Sequence, residues 1–310
     1  MEQLSLSVSV VLPLLIMMAV GVLLRVLKVI SSDGFLQMNR IVFNIGIPAL
    51  VFNSIVTSDL AAVSDLKFTL WNIGSITVMF LILLLIVPLC EKDPKRRGVI
   101  IQGMLRSNDA VFGLAVAQAI LGADHLVTMT YAIAITVPLF NGIGVIALEL
   151  FRSGKINVWR ILLNLIKNPI IIATLLGLLI NLTGVTLPNI ILKPVKMFSQ
   201  MCTPLAFIVL GGVLTLKSTL ANRGTLALSV LVKLIVIPLV AGGLSYLVGF
   251  RGEQLLALFI IYAAPTAMSS FPLACALDCD HELAGEIVAV TTAFSLPTIF
   301  IFLTLFGGLI

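Results

Sequence analysis

Two short runs carry most of the polar chemistry in this chain. The first is Arg106-Ser107-Asn108-Asp109-Ala110-Val111-Phe112-Gly113-Leu114-Ala115, and the second is Pro265-Thr266-Ala267-Met268-Ser269-Ser270-Phe271-Pro272-Leu273-Ala274. Each places polar or helix-breaking residues in the middle of an otherwise apolar segment. Arg106 and Asp109 are three apart, so on a helix they share a face and are able to pair. Charges at membrane depth are costly and point to function unless they neutralise one another. Two readings therefore stand: a structural ion pair, or Arg106 meeting a substrate carboxylate while Asp109 takes up a proton or cation. Pro265 has no amide hydrogen and frees a carbonyl one turn back, and Pro272 disturbs the turns that follow. Thr266, Ser269 and Ser270 bring hydroxyls to this second break. Freed carbonyls suit cations or donors, whereas half-helix N-termini attract anions.

The elements that hold these runs have to cross a bilayer. Hydrophobic residues make up 60% of the 310, charged residues only 11%, and the mean hydropathy is +1.18. Those values exclude a soluble globular domain. A hydrocarbon core of about 30 Å takes roughly 20 apolar residues per helix, and the sequence places ten spans at about 7–27, 37–57, 68–90, 98–122, 127–150, 162–183, 194–216, 225–249, 254–278 and 284–308. No basic residue and no small-residue cleavage site marks the first segment, so it reads as a span and not a signal peptide. In the fourth span Asn108 follows the cluster Lys95-Arg96-Arg97 by about eleven residues, a depth of roughly 16 Å. In the ninth, Pro265 follows Gln254 by eleven residues. Both breaks thus meet near the bilayer centre, where unpaired backbone must be buried in protein or line a polar cavity.

The net charge of +5 follows topology. Arg25, Lys28 and Arg40, then Lys92, Lys95, Arg96 and Arg97, then Arg152, Lys155, Arg160 and Lys167, and lastly Lys217 and Arg223 fall in alternate loops, against Lys67, Lys193, Lys196 and Arg251 in the others. This positive-inside pattern predicts basic loops in the cytoplasm and both termini outside. It gives no footprint for nucleic acid; the lipid bilayer is the partner implied.

The two halves align on their prolines. Pro13 and Gly21 match Pro169 and Gly177 at an offset of 156, as Pro48 matches Pro204 and Leu36 and Arg40 match Leu192 and Lys196. Phe112 and Phe271 match at 159, as do Pro138 and Pro297. Each unit holds an odd number of spans, so the second enters the membrane inverted, and the predicted fold is an all-α membrane protein of ten helices in a 5+5 inverted repeat with broken helices 4 and 9. The repeats are 1–152 and 153–310. His125 and His281 do not fit that offset and read as solvated residues at helix ends.

Further polar groups flank the breaks. Asn44 and Asn53 surround Gly46 and Pro48, Asn141 follows Pro138, and Gln200, Cys202 and Thr203 stand at the matching place in the second half. Asn44 and Asn141 are expected to line the cavity, though such residues also bond neighbouring helices. Lys233, about eight residues from the cytoplasmic end of the eighth span, is expected to snorkel to the surface. Cys275 and Cys279, followed by Asp280 and His281, match no zinc spacing and, with Cys90 and Cys202, read as small apolar residues in packed helices. No metal site and no cofactor is expected. HExxH, Gly-x-Ser-x-Gly and paired membrane aspartates are all missing, which argues against an intramembrane enzyme.

With its length, its five-span inverted repeat and its breaks in spans four and nine, the chain resembles the auxin efflux carrier family over its whole extent. The most specific pieces are Ser107-Asn108-Asp109-Ala110-Val111-Phe112-Gly113 and Ala264-Pro265-Thr266-Ala267-Met268-Ser269-Ser270-Phe271-Pro272. Ser107 replaces the family's usual Gly, and Ala115 stands where a Pro is frequent, which predicts a less sharply broken fourth span. The resemblance implies secondary active, elevator-like transport of small organic anions such as malonate, malate or auxin-like carboxylates across the plasma (bacterial inner) membrane. It implies a scaffold of spans 1, 2, 6 and 7, a moving unit of spans 3–5 and 8–10, and a homodimer through the scaffold, to which the small residues Gly21 and Gly177 lend support. On this reading Asn108 and Pro265–Ser270 supply the polar contacts, Arg106 balances the anion, and Asp109 couples transport to a proton. A sodium-coupled symporter of the bile acid type is the alternative. It needs a cage of oxygen ligands beside the crossing, and the sequence places few carboxylates there. A passive channel or receptor with the same fold is the remaining alternative.

Overall fold

A computed structural model describes residues 2–57, 65–121, 126–152, 163, 166–214 and 216–306. The described residues are helical, with no strand among them. In chain order the helices are α1 (Glu2–Val26), α2 (Ser32–Ile41), α3 (Ile47–Val56), α4 (Leu66–Cys90), α5 (Pro94–Leu105), α6 (Leu114–Leu121), α7 (Val127–Arg152), α8 (Pro169–Thr183), α9 (Asn189–Val213), α10 (Leu216–Ala221), α11 (Arg223–Leu231), α12 (Ile237–Val248), α13 (Gly252–Ala263), α14 (Ser270–Ala276) and α15 (His281–Phe306). Widened π-turns at Val42–Gly46 and Val232–Val236 join α2 to α3 and α11 to α12 without ending the helix, and a third at Asp109–Gly113 opens α6. Five of these stretches, Ser32–Val56, Leu66–Cys90, Val127–Arg152, Asn189–Val213 and Arg223–Val248, are long and apolar enough to cross a membrane. His125 and most of the basic segment after Arg152 lie outside the described residues.

Helix starts follow from local chemistry. Asp65 accepts the Phe68 amide at 3.0 Å, and Asp93 accepts the Lys95 amide at 2.9 Å with Pro94 at the first helical position, so orphan amides of the first turn are satisfied. Asp65 also accepts Gln254 Nε2 at 2.8 Å. The Phe68 amide first, and Gln254 second, hold its carboxyl below the usual carboxylate range. Outward-facing Leu85, Leu89, Leu182, Ile190 and Leu247 are strongly exposed, the apolar dress expected of lipid-facing helices.

The tightest packing occurs between helices of one chain. A Cβ on Gly21 would stand 1.9 Å from the Ile208 carbonyl, and one on Gly211 the same distance from the Met18 carbonyl. The backbones of α1 and α9 therefore touch, as small residues permit in lipid. Gly177 of α8 packs on Ile55 of α3, with a Cβ there falling 3.2 Å from the Ile55 Cβ. The small-residue support for a dimer is thus corrected: Gly21 and Gly177 are used inside the chain. The α1–α9 contact is secured at its end by Arg25, which donates to the Leu214 and Gly212 carbonyls. Cations near unpaired carbonyls at a helix C-terminus are favoured.

Candidate functional site at the crossing of two broken helices

α5 stops at Leu105 because Arg106 turns extended (φ −66°, ψ 132°). α13 stops at Ala263 because Pro265 follows, and Ala264 is likewise extended (φ −60°, ψ 144°). The two extended pieces then do what unpaired backbone must do when buried: they pair with each other. Ser107 and Thr266 form an antiparallel bridge. The Asn108 amide donates to the Pro265 carbonyl at 2.9 Å, and the Ala267 amide donates to the Arg106 carbonyl at 3.3 Å. Each break also crosses over with a hydroxyl: Ser107 Oγ donates to the Ile261 carbonyl at 2.5 Å, and Thr266 Oγ1 to the Gly103 carbonyl at 2.6 Å. Each half thus caps the C-terminal carbonyls of the other half's helix. The first break spans residues 106–108 and the second residues 264–269; only the second holds a proline.

Side chains converge on this bridge. The guanidinium of Arg106 is fully buried and donates to Asn141 Oδ1 at 2.8 Å, Ser269 Oγ at 2.6 Å and Gln102 Oε1 at 3.2 Å. Gly144 of α7 makes the room, since a Cβ there would meet Arg106 Cδ at 2.8 Å. Asp109 accepts the Thr136 hydroxyl and, at 3.0 Å, the Ala110 amide. No ion pair joins Arg106 to Asp109 among the described residues. The shared face expected from their spacing is lost because the break intervenes. The Asn108 carbonyl accepts the Phe112 and Gly113 amides, both at 3.0 Å, opening the π-turn. The Asn108 amide nitrogen Nδ2 is buried without a partner, as is Ser270 Oγ. Buried polar groups are rarely left so.

A cavity of about 50 Å³ opens here. Arg106, Ser107, Asn108, Asp109, Asn141 and Ser269 give its polar wall, and Ile47, Leu50 and Val51 of α3 face them. A space of this size takes one or two waters. Asn141 thus lies where the sequence puts it. Asn44 does not: it is exposed, and its Nδ2 donates to the Arg40 carbonyl of its own helix at 2.9 Å. It sits in the Val42–Gly46 π-turn, whose extra residue changes the helical phase. Pro265, Thr266 and Ser270 are buried in the crossing, of which Thr266 serves the backbone.

Lys233 is a second residue that sequence reasoning misplaced. It does not snorkel. It is fully buried in the Val232–Val236 π-turn, and its ammonium donates to Ser107 Oγ at 2.5 Å, the Tyr262 carbonyl at 3.3 Å and the Leu105 carbonyl at 3.4 Å. Leu105 and Tyr262 lie just before the two breaks, where carbonyls lose their helical partners, but nothing in the sequence places Lys233 beside them.

With this geometry in hand, comparison with known proteins decides the family. A family model described as membrane transport protein, the auxin efflux carrier type, matches residues 6–155 and 149–303. The chain belongs to that family. Among its relatives, an uncharacterized transporter of Methanothermobacter thermautotrophicus is 28% identical over 302 residues, covering 94% of this chain and 96% of the relative. An uncharacterized transporter of Methanocaldococcus jannaschii is 26% identical over 307 residues, with 94% and 96% covered. The protein is a multi-pass membrane transporter.

Proposed function

We propose that this transporter is a secondary active, alternating-access carrier of small organic anions, mono- or dicarboxylates such as malonate, malate or auxin-like acids. The observation that carries the reading is the convergence of polar side chains at the crossing. It brings Arg106, Asn108, Asn141 and Ser269 together against α3. Two buried cations, Arg106 and Lys233, stand at the crossing with one carboxylate, Asp109. That leaves one formal positive charge in excess, which an anionic substrate neutralises. The unpartnered Asn108 Nδ2 supplies a free donor for a carboxylate oxygen. Asp109, held by Thr136, is the candidate for carrying a proton through the cycle.

The inverted ten-span repeat belongs to the same proposal and has support at the crossing. The bridge joins residues 159 apart, Ser107 and Thr266. Its two hydrogen bonds interchange under the same offset, Asn108 becoming Ala267 and Pro265 becoming Arg106. A two-fold axis in the membrane plane demands that exchange. A second pair on that axis is Gly46 and Cys202, 156 apart, where a Cβ on Gly46 would stand 3.2 Å from Cys202 Sγ. The α1–α9 and α3–α8 packings are one another's counterparts under the offset of 156, and the family model matches twice along the chain, at residues 6–155 and 149–303. In this account α1, α2–α3, α8 and α9 form the scaffold, and the remaining helices carry the crossing past α3 in an elevator motion. Both termini face outward from the plasma membrane, with the cluster at Lys95 and Arg96 in the cytoplasm.

Labelled malonate, malate and indole-acetate taken up by counterflow into proteoliposomes test the substrate class. Saturable exchange of one carboxylate, lost in Asn108→Ala protein that still folds, is the expected result. Unchanged exchange in that variant refutes the site.

A further inference from the structure

The crossing holds a cation site that is already filled, and the filler is part of the chain. Where half-helices end at membrane depth, their carbonyls and negative dipole ends gather a positive charge. Here the last turns of α5 and α13 point theirs at one place, and the ammonium of Lys233 stands in it. It donates to the Leu105 carbonyl at 3.4 Å, the Tyr262 carbonyl at 3.3 Å and Ser107 Oγ at 2.5 Å. An ammonium has three donors and no acceptor, so these three oxygens saturate it. Leu105 closes the first half-helix, Tyr262 lies one residue from the end of its counterpart, and Ser107 is the bridge residue of the first break. The stem emerges from the Val232–Val236 π-turn, which belongs to neither broken helix. No ion pair within contact distance ties Lys233 to a carboxylate among the described residues, and the direct partners of its ammonium are all neutral oxygens. What it does touch is the backbone end of each half-helix.

We infer that Lys233 is a tethered cation occupying the position at which a diffusible monovalent cation would otherwise stabilise the crossing, and that removing its side chain exposes a binding site for a primary ammonium ion. Lys233 acts as a positioning residue: it holds the two helix ends together and does not meet the transported anion. A transport consequence follows if the carrier reading is right, namely that the crossing forms without sodium. The site itself does not depend on that reading.

Lys233→Ala removes everything beyond Cβ, a fragment with the shape of n-propylammonium. The purified variant in detergent is titrated with n-propylammonium chloride, with tetramethylammonium chloride as a cation of equal charge that has no N–H donor, and with sodium chloride. The expected result is a melting temperature below wild type that rises saturably with n-propylammonium, by about 2–4 °C at ten times the dissociation constant, and does not rise with tetramethylammonium. Wild-type protein and Lys233→Met, whose side chain fills the same space without charge, should not respond. Should the alanine variant fold only with additive present, the yield of monodisperse protein under the two ammonium salts is the readout. Equal responses to both salts, no response to either, or an equal response in Lys233→Met would overturn the assignment. In proteoliposomes, restoration of carboxylate exchange by n-propylammonium in Lys233→Ala supports it. Rescue of stability without any carboxylate exchange, in wild type as well as variant, leaves the cation site standing and removes the carrier reading.

Discussion

Replacing Arg106 by Met separates a structural cation from one kept for binding. The guanidinium makes three hydrogen bonds to neutral acceptors, at 2.6, 2.8 and 3.2 Å, and is fully buried. Hydrogen bonds from a charged donor contribute about 1.5–3 kcal/mol each, so the three together are worth about 5–9 kcal/mol. Against this stands the desolvation of an ion that no carboxylate pairs, several kcal/mol in real proteins. The two nearly cancel, and Met fills much of the vacated stem volume with apolar contacts. Arg106→Met should therefore change unfolding free energy by no more than about 3 kcal/mol, in either direction. Its effect on substrate is one-sided. Losing a charge-assisted contact to a carboxylate costs about 1.5–3 kcal/mol, or roughly 10- to 150-fold in affinity. Denaturant unfolding in detergent gives the first quantity, and carboxylate titration followed by intrinsic fluorescence gives the second. A variant that fails to fold would make Arg106 structural. A stable variant that binds carboxylate as wild type does would remove Arg106 from the site, and with it the electrostatic argument for an anion.

Other expectations follow from the same geometry. Gly211→Leu forces side-chain atoms into the Met18 carbonyl across the α1–α9 contact, and should lower stability by about 3 kcal/mol or more, read by thermal melting. Asn44→Ala should leave both stability and carboxylate exchange within about 0.5 kcal/mol and twofold of wild type, since its exposed amide serves only its own helix; a large transport loss would return Asn44 to the site. Lys95 and Asp278 pair at 2.9 Å on the surface. The Lys95 ammonium holds the Asp278 carboxyl below the usual carboxylate range, so the pair's stabilisation is present above about pH 4 and fades as pH falls through the depressed value. NMR titration should show the Asp278 midpoint moving up in Lys95→Ala protein and in high salt.

What the sequence disclosed depended on whether a residue's role is local. Pro265 and the polar run at Arg106–Asp109 interrupt apolar helices whatever surrounds them, so the two breaks were readable, whereas Pro272, expected to disturb the next turns, sits inside the first turn of α14. Asn141 was found because it lies deep on a helix that packs on the first break. Asn44 was misread because the π-turn at Val42–Gly46 changes the phase of its helix, a feature without a composition signature. Of the two readings open for Arg106 and Asp109, the ion pair assumed a continuous helix through a stretch where Arg106 is extended and Asp109 opens a π-turn. Lys233 was missed because a lysine eight residues into a span looks the same whether it reaches outward to headgroups or inward to carbonyls. Only the tertiary meeting of α5 and α13 distinguishes the two. Gly21 and Gly177 announce close packing but not its partner, and both partners proved intramolecular.

The most direct test of the central claim is charge movement in proteoliposomes on rapid addition of malonate, malate or indole-acetate, with and without sodium and a pH gradient, in wild-type and Asn108→Ala protein. The account predicts a transient that saturates with one carboxylate, persists without sodium and disappears in the variant, with tracer exchange covering an electroneutral cycle. Silence across the panel in both charge and tracer, from well-folded wild-type protein, would contradict a carboxylate carrier built on this crossing.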